Sequence, residues 1–277
     1  MAFGTHGAAG SAVSTIQLRN VSKDFVLPNG KALRVLENVS FEIAPQTFNS
    51  ILGPSGCGKS TILNLIAGLD RRFSGDISLS TPAGSKSEKP RIGFVFQQPR
   101  LLNWRTVIEN VELPLEQEVG ERKARQNLAR KYLALVGLSG YEAYYPLQLS
   151  GGMQQRAAIA RALVIDPDVL LMDEPFSGLD EITARKMRSE LMRIWQETGK
   201  TILFVTHSIS ESVFLSQQIL IVSRRPATIF KRLLIDLPYP RQYGDTRLFE
   251  IETNLMRDFL GMEECGVISA VGIAQEV

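Results

Sequence analysis

Short apolar runs alternate with longer segments of helical period along most of the chain. Ile16–Val21 and Val35–Ile43 alternate apolar with polar positions, which predicts half-buried strands on either side of the turn-like Leu27-Pro28-Asn29-Gly30. Thr47–Leu52 predicts a strand that runs into a glycine-rich loop, and Ile62, Leu63, Leu65 and Ile66 mark a helix beyond it. Asp76–Leu79 is a further strand. Ile92–Phe96, Val169–Met172, Ile202–Val205 and Ile219–Val222 are strongly apolar, as strands covered on both faces must be. This rhythm predicts an α/β fold on a parallel sheet.

Between Phe96 and Val169 the rhythm changes. Glu121–Val136 sets Leu128, Tyr132, Leu135 and Val136 on one helical face with Arg and Lys on the other, and Ser150–Val164 predicts a second helix. Residues 98–160 therefore read as a mostly helical insertion in an α/β unit spanning 16–222. Residues 1–15 read as a disordered arm, and Pro82–Pro90 as a solvent loop. Residues 223–277 read as a small extension, in which Pro238 and Pro240 part a strand-like run from a helix near Arg247–Leu260.

Composition narrows the classes. With 277 residues, 44% hydrophobic and 22% charged, the chain can bury a core without disulfide or metal staples. That excludes collagen-like, disordered and disulfide-framework proteins. A net charge of +2 argues against a nucleic-acid partner. The two cysteines, Cys57 and Cys265, make no framework and fit a reducing, cytoplasmic setting. No apolar run reaches the roughly 20 residues of a membrane span, and no basic residue precedes Arg19 to start a signal peptide. Any link to a membrane is expected through another protein.

Three segments carry chemistry. Gly53-Pro54-Ser55-Gly56-Cys57-Gly58-Lys59-Ser60-Thr61 contains G-x-x-x-x-G-K-S between a strand and a helix start. Glycines there let backbone N–H groups wrap phosphates; Lys59 would reach the β and γ phosphates and Ser60 would ligate Mg²⁺. Val169–Pro175 is an apolar strand ending in two carboxylates. Asp173 suits Mg²⁺, and Glu174 suits a general base on water. Leu149-Ser150-Gly151-Gly152-Met153-Gln154-Gln155-Arg156 opens a helix. Ser150 can be read as a plain N-cap, but two bare glycines beside it also offer a second phosphate surface. One chain already has one cradle, so the second is expected to serve a neighbour.

With these three segments in this order, the chain resembles the ATP-binding subunit of an ABC transporter from about Leu18 to Val222. They match that family's Walker A, signature and Walker B elements. The resemblance implies a P-loop NTPase (RecA-like) core with an N-terminal antiparallel β region and an inserted helical subdomain. It implies ATP and Mg²⁺ as ligands, and a head-to-tail dimer with a second copy. Each ATP would lie between one subunit's P-loop and the other's Ser150, Gly151, Gly152 and Gln154. Gln97 matches the Q-loop glutamine that touches Mg²⁺ and water. His207 matches the switch histidine at the γ-phosphate, and Asp180 the D-loop aspartate. Phe25 fits the aromatic that stacks on adenine, with core packing of Phe25 or a role for Leu27 as the alternative. Pro45-Gln46-Thr47 departs from the family, which commonly has glycine after the proline.

The stretch Phe96–Trp104 and the tail Ser223-Arg224-Arg225-Pro226-Ala227 are similar to importers of the nitrate, sulfonate and taurine group. Leu101, Leu102 and Trp104 would then receive a permease's cytoplasmic helix, unless they are ordinary core. The resemblance implies transmembrane permease subunits, an indirect solute-binding protein, and a peripheral location on the cytoplasmic face of the inner membrane. An exporter ATPase, or a soluble ABC ATPase acting on nucleic acid or the ribosome, is the alternative.

Overall fold

The computed structural model describes residues 16–81 and 90–272, with side chains described through residue 261. The arm expected at 1–15 and the loop expected at 82–90, apart from Pro90, lie outside the described residues. Alternation in Ile16–Val26 (β1) and Ala32–Ile43 (β2) produces an antiparallel pair, turned at Gly30, whose φ of +79° suits glycine. Ser74–Leu79 (β4) pairs with the other edge of β1. This small sheet keeps one face wet, which is why Asp76–Leu79 is less apolar than the strands that follow.

The second sheet has six strands, in the spatial order Ile92–Val95, Val169–Asp173, Thr201–Thr206, Phe48–Leu52, Gln218–Val222, Ile229–Leu234. Phe48–Leu52 (β3), Ile92–Val95 (β5), Val169–Asp173 (β6), Thr201–Thr206 (β7) and Gln218–Val222 (β8) run parallel, and Ile229–Leu234 (β9) closes the edge antiparallel to β8. Period-two alternation divides its side chains between two cores. Ile51, Val169, Leu171, Leu203, Val205, Leu220 and Val222 pack with Lys59–Ile66 (α1) and the small sheet. Leu52, Leu170, Met172, Ile202, Phe204, Ile219 and Ile221 pack with the remaining helices. Both faces are covered, so these strands need to be apolar throughout.

Val107–Glu112 (α2), Arg122–Leu135 (α3) and Gly151–Leu163 (α4) supply the helices between β5 and β6. A reciprocal Thr106–Glu109 capping box starts α2. The buried Asn110 side chain binds the carbonyls of Leu102, Arg105 and Thr106, which fixes the loop after Gln97. Glu181–Thr198 (α5) and Ile209–Leu215 (α6) connect the last strands. Of the described residues after 222, β9, Arg241 and the start of the last helix are built onto the same sheet and core. Besides β9, the Arg241 guanidinium donates to the carbonyls of Val213 (2.6 Å) and Ser216 (2.8 Å), and Leu248 and Leu255 of Thr246–Gly272 (α7) are buried.

The turn that departs from the family pattern has a left-handed residue where the family commonly has glycine. Gln46 adopts a φ of +60°, a left-handed value that favours glycine, and its N–H is held by the Thr201 hydroxyl at 2.8 Å.

Candidate functional site

Because β3, β6 and β7 are parallel neighbours, their C-terminal ends lie on one edge of the sheet, the usual place for a ligand crevice in such folds. β3 delivers the Gly53–Ser60 loop, β6 delivers Asp173 and Glu174, and β7 delivers His207.

The loop is shaped by close approach. A Cβ on Gly53 would fall 2.4 Å from Val222 Cγ2, and one on Gly58 would fall 2.9 Å from Leu36 Cδ2. Gly56 and Gly58 have φ of +75° and +125°. Glycine suits these positions, by the lack of room at Gly53 and Gly58 and by the backbone conformation at Gly56 and Gly58. Lys59 is buried, and its ammonium donates to the carbonyls of Gly53 and Pro54, both at 2.9 Å. Ser55 and Gly56 are exposed at the crest, Cys57 is a buried free thiol, and Ser60 and Thr61 follow Lys59 in the first turn of α1. Burial pushes the Cys57 thiol up, against the pull of Lys59 and Arg225.

Five of the expected side chains meet here. Lys59 Nζ is 3.4 Å from Glu174 Oε1, and Glu174 Oε2 is 2.9 Å from His207 Nδ1. The Ser60 hydroxyl donates to Asp173 Oδ1 at 3.0 Å. Burial raises the Asp173 carboxyl above the usual range, and the Ser60 hydrogen bond opposes that rise. Glu174 has a φ of +40°, a left-handed conformation that costs a non-glycine residue about 1–2 kcal/mol. Its N–H bonded to Val205 O (2.9 Å) and its carbonyl bonded to Ser177 N–H (3.1 Å) hold it there. Gln97 joins this group indirectly, donating to the Ser177 hydroxyl at 3.0 Å.

The other candidates stand apart from that cluster. Ser150 is the N-cap of α4, accepting from Met153 N–H at 3.3 Å, and it is exposed together with Gly151. Gly152 is buried, where a Cβ would meet Thr183 Cγ2 at 3.0 Å. Gln154 is turned back onto the carbonyls of Pro146 (3.0 Å) and Leu149 (3.2 Å). Asp180 is the N-cap of α5, and the Thr183 N–H it accepts at 3.0 Å holds its carboxyl below the usual range. Among the described residues, no hydrogen bond or ion pair joins Ser150–Gly152 to the Gly53–Thr61 loop. Phe25 is 39% exposed near the end of β1, with Lys23 Nζ 4.8 Å from its ring. Trp104 is 75% exposed, whereas Leu101 and Leu102 are half-buried.

Two site contacts were missed in the sequence reading. Ser177 anchors Gln97, and Arg225 Nη2 donates to the Gly56 carbonyl. Arg225 stands 169 positions from Gly56, so only the basic pair after β8 hinted at it.

The donor set fits phosphate and a hard cation. A buried ammonium, a helix start and backbone N–H groups suit a polyphosphate. A hydroxyl and a carboxylate in contact suit Mg²⁺, which prefers one or two protein oxygens plus phosphates and water. Among the described residues no three His, Cys, Asp or Glu side chains form a cage of their own.

A family model described as "ABC transporter" matches residues 36–177. The aliphatic sulfonates import ATP-binding protein of Bacillus cereus (strain ZK / E33L) is 41% identical over 88% of this chain and 96% of its own. The taurine import ATP-binding protein of Rhizobium johnstonii is 43% identical over 83% of this chain and 87% of its own. A solved ABC cassette, described as a dimer in a post-hydrolysis state bound to ADP and Pi, is 33% identical. It covers 80% of this chain and 100% of its own, at a TM-score of 0.70. Loop, strand-end carboxylates and these likenesses agree: the chain belongs to the ABC transporter family and is an ATP-binding, ATP-hydrolysing cassette.

Proposed function

We propose that this cassette drives import of a small sulfonate, of the aliphatic sulfonate or taurine class, as a head-to-tail dimer held by a membrane permease. The chain of contacts Lys59–Glu174–His207 carries the hydrolytic part. The identities of 41% and 43% to sulfonate and taurine import subunits support the cargo. Exporter, nucleic-acid and ribosome roles have no observation in their favour.

In the proposed reaction, Lys59 exchanges the carbonyls of Gly53 and Pro54 for phosphate oxygens. Glu174 takes the proton of the water that attacks the γ-phosphorus, as the bond to the β-phosphate oxygen breaks. His207, bonded to Glu174, orients that carboxylate and faces the γ-phosphate. Ser60 and Asp173 would hold Mg²⁺ with Gln97 beside them; the bound ion neutralises charge developing on the phosphates. Phe25 would stack on the adenine. Ser150, Gly151, Gly152, Gln154 and Asp180 complete the site of the second copy. Among the described residues no helix is long and apolar enough to cross a membrane, in keeping with peripheral attachment at the cytoplasmic face through permease subunits. A solute-binding protein would deliver the cargo.

The test is reconstitution of the whole complex in vesicles. Uptake of labelled taurine or an alkanesulfonate should require ATP. Glu174→Gln should still bind ATP while hydrolysis falls by about 10²–10⁴-fold. Near-normal hydrolysis by that variant would remove Glu174 as the base. ATP-driven efflux, or uptake confined to a neutral solute, would remove the cargo assignment.

A further inference from the structure

The end of β8 and the segment that follows it brace the phosphate loop. Val222 fills the space against Gly53, which leaves no room for a Cβ there. Ala227 donates to Val35 O (2.8 Å) and accepts from Glu37 N–H (3.0 Å), fastening the part of β2 that packs on Gly58. Ser223 closes the intervening turn, its hydroxyl accepting from Thr228 N–H at 2.9 Å. Between these anchors the guanidinium of Arg225 donates to the Gly56 carbonyl.

That contact decides which way one peptide plane faces. Across a trans peptide the Gly56 carbonyl and the Cys57 N–H point in opposite directions. With the carbonyl held by Arg225, the Cys57 N–H is directed at Pro54 O, at 3.4 Å. Lys59 Nζ donates to the same oxygen at 2.9 Å. Two donors thus converge on Pro54 O inside the loop, and a bound phosphate would draw both of them from it. Gly56, at a φ of +75° with no Cβ, offers little resistance of its own to a turn of that plane.

We propose that Arg225 is a positioning residue for nucleotide binding: it pins the Gly56 carbonyl outward and thereby keeps the Cys57 N–H turned toward the phosphates. The proposal rests on the ATP site described above and gives the post-β8 segment a part in it. Without Arg225 the plane samples both orientations, and apparent affinity falls with the competent fraction.

The experiment compares the full-length chain with Arg225→Ala, Arg225→Lys and Lys59→Ala, measuring ATP and ADP dissociation constants, hydrolysis, and amide exchange in the loop. Arg225→Ala should weaken both nucleotides about 10-fold, as expected if the competent conformer drops to about a tenth. The loss should fall on KM rather than kcat, loop amides should exchange faster in the nucleotide-free protein, and Arg225→Lys should recover most of the affinity. Unchanged affinity in Arg225→Ala, while Lys59→Ala loses binding, overturns the proposal alone. Normal binding by Lys59→Ala would overturn the nucleotide site itself. An equal loss in the Lys and Ala variants, with a lowered melting temperature in both, would reduce Arg225 to a general structural part.

Discussion

At the scale of single residues, the site holds groups that would be more comfortable elsewhere. Asp173 is the clearest case. Burial raises its carboxyl, so the folded chain holds that proton more tightly than the unfolded chain does. Its contribution to stability is therefore greatest below the ordinary carboxylate value, and it is lost as pH rises through the folded-state value. At neutral pH the carboxylate is a cost. Asp173→Asn keeps an oxygen for the Ser60 hydroxyl and removes the charge. The nucleotide-free variant should melt higher, by about 2–4 °C for each kcal/mol relieved, and its stability should depend less on pH from about 4 upward. Mg²⁺-dependent hydrolysis should be lost. A lower melting temperature, or hydrolysis near the wild-type rate, would contradict this reading. Glu174, at a φ of +40°, is the backbone counterpart: strain kept where the chemistry is done.

At the scale of elements, α5 and α6 are tied by a buried charge. Arg188 on α5 is 2% exposed and donates to Glu181 (2.8 Å), beside Asp180, and to Glu211 on α6 (3.4 Å). Glu211 in turn accepts from the Thr206 hydroxyl at 2.6 Å, next to His207. Burial raises the Glu211 carboxyl, while Thr206 and Arg188 lower it. Arg188→Met leaves that carboxylate without its buried cation and should cost about 3–5 kcal/mol. Adding Glu211→Gln should restore part of the loss, and denaturant unfolding of the three variants measures it. If the double variant is weaker than Arg188→Met alone, the pair is not coupled as described. The strands, the phosphate loop and the strand-end carboxylates were legible in the sequence because local pattern dictates each. β6 is a run of four apolar residues that ends in Asp173, and the loop motif needs no distant partner. The Arg188 link was not legible, since Glu211 lies on α6 and only folding brings it to Arg188 on α5. α5 does carry a local signal, with Ala184, Met187, Leu191, Ile194 and Trp195 at helical spacing on its buried side.

At the scale of the molecule, the same division separates what one chain contains from what it lacks. Lys59, Ser60, Asp173, Glu174 and His207 meet within one fold, whereas Ser150 and Gly151 are exposed at the start of α4. A serine and two glycines at a helix N-terminus are suited to phosphate oxygens, and in this chain they share no bond with the phosphate loop. If a second copy supplies them head to tail, two defects on different chains must complement. Ser150→Arg should block the partner's γ-phosphate position and spare binding at its own loop; Lys59→Ala should do the reverse. Each variant alone should hydrolyse little ATP. Mixed in equal amounts, half of the random dimers carry one of each chain. Each mixed dimer then holds one site with both halves intact and one doubly damaged. The mixture should recover roughly a quarter of the wild-type rate if the two sites act independently, and less if both must fire together. ATP-dependent dimerisation, followed by size-exclusion chromatography with light scattering, should return in the mixture as well. A mixture that merely averages its two parents in both measurements would place the whole site within one chain and overturn the shared arrangement.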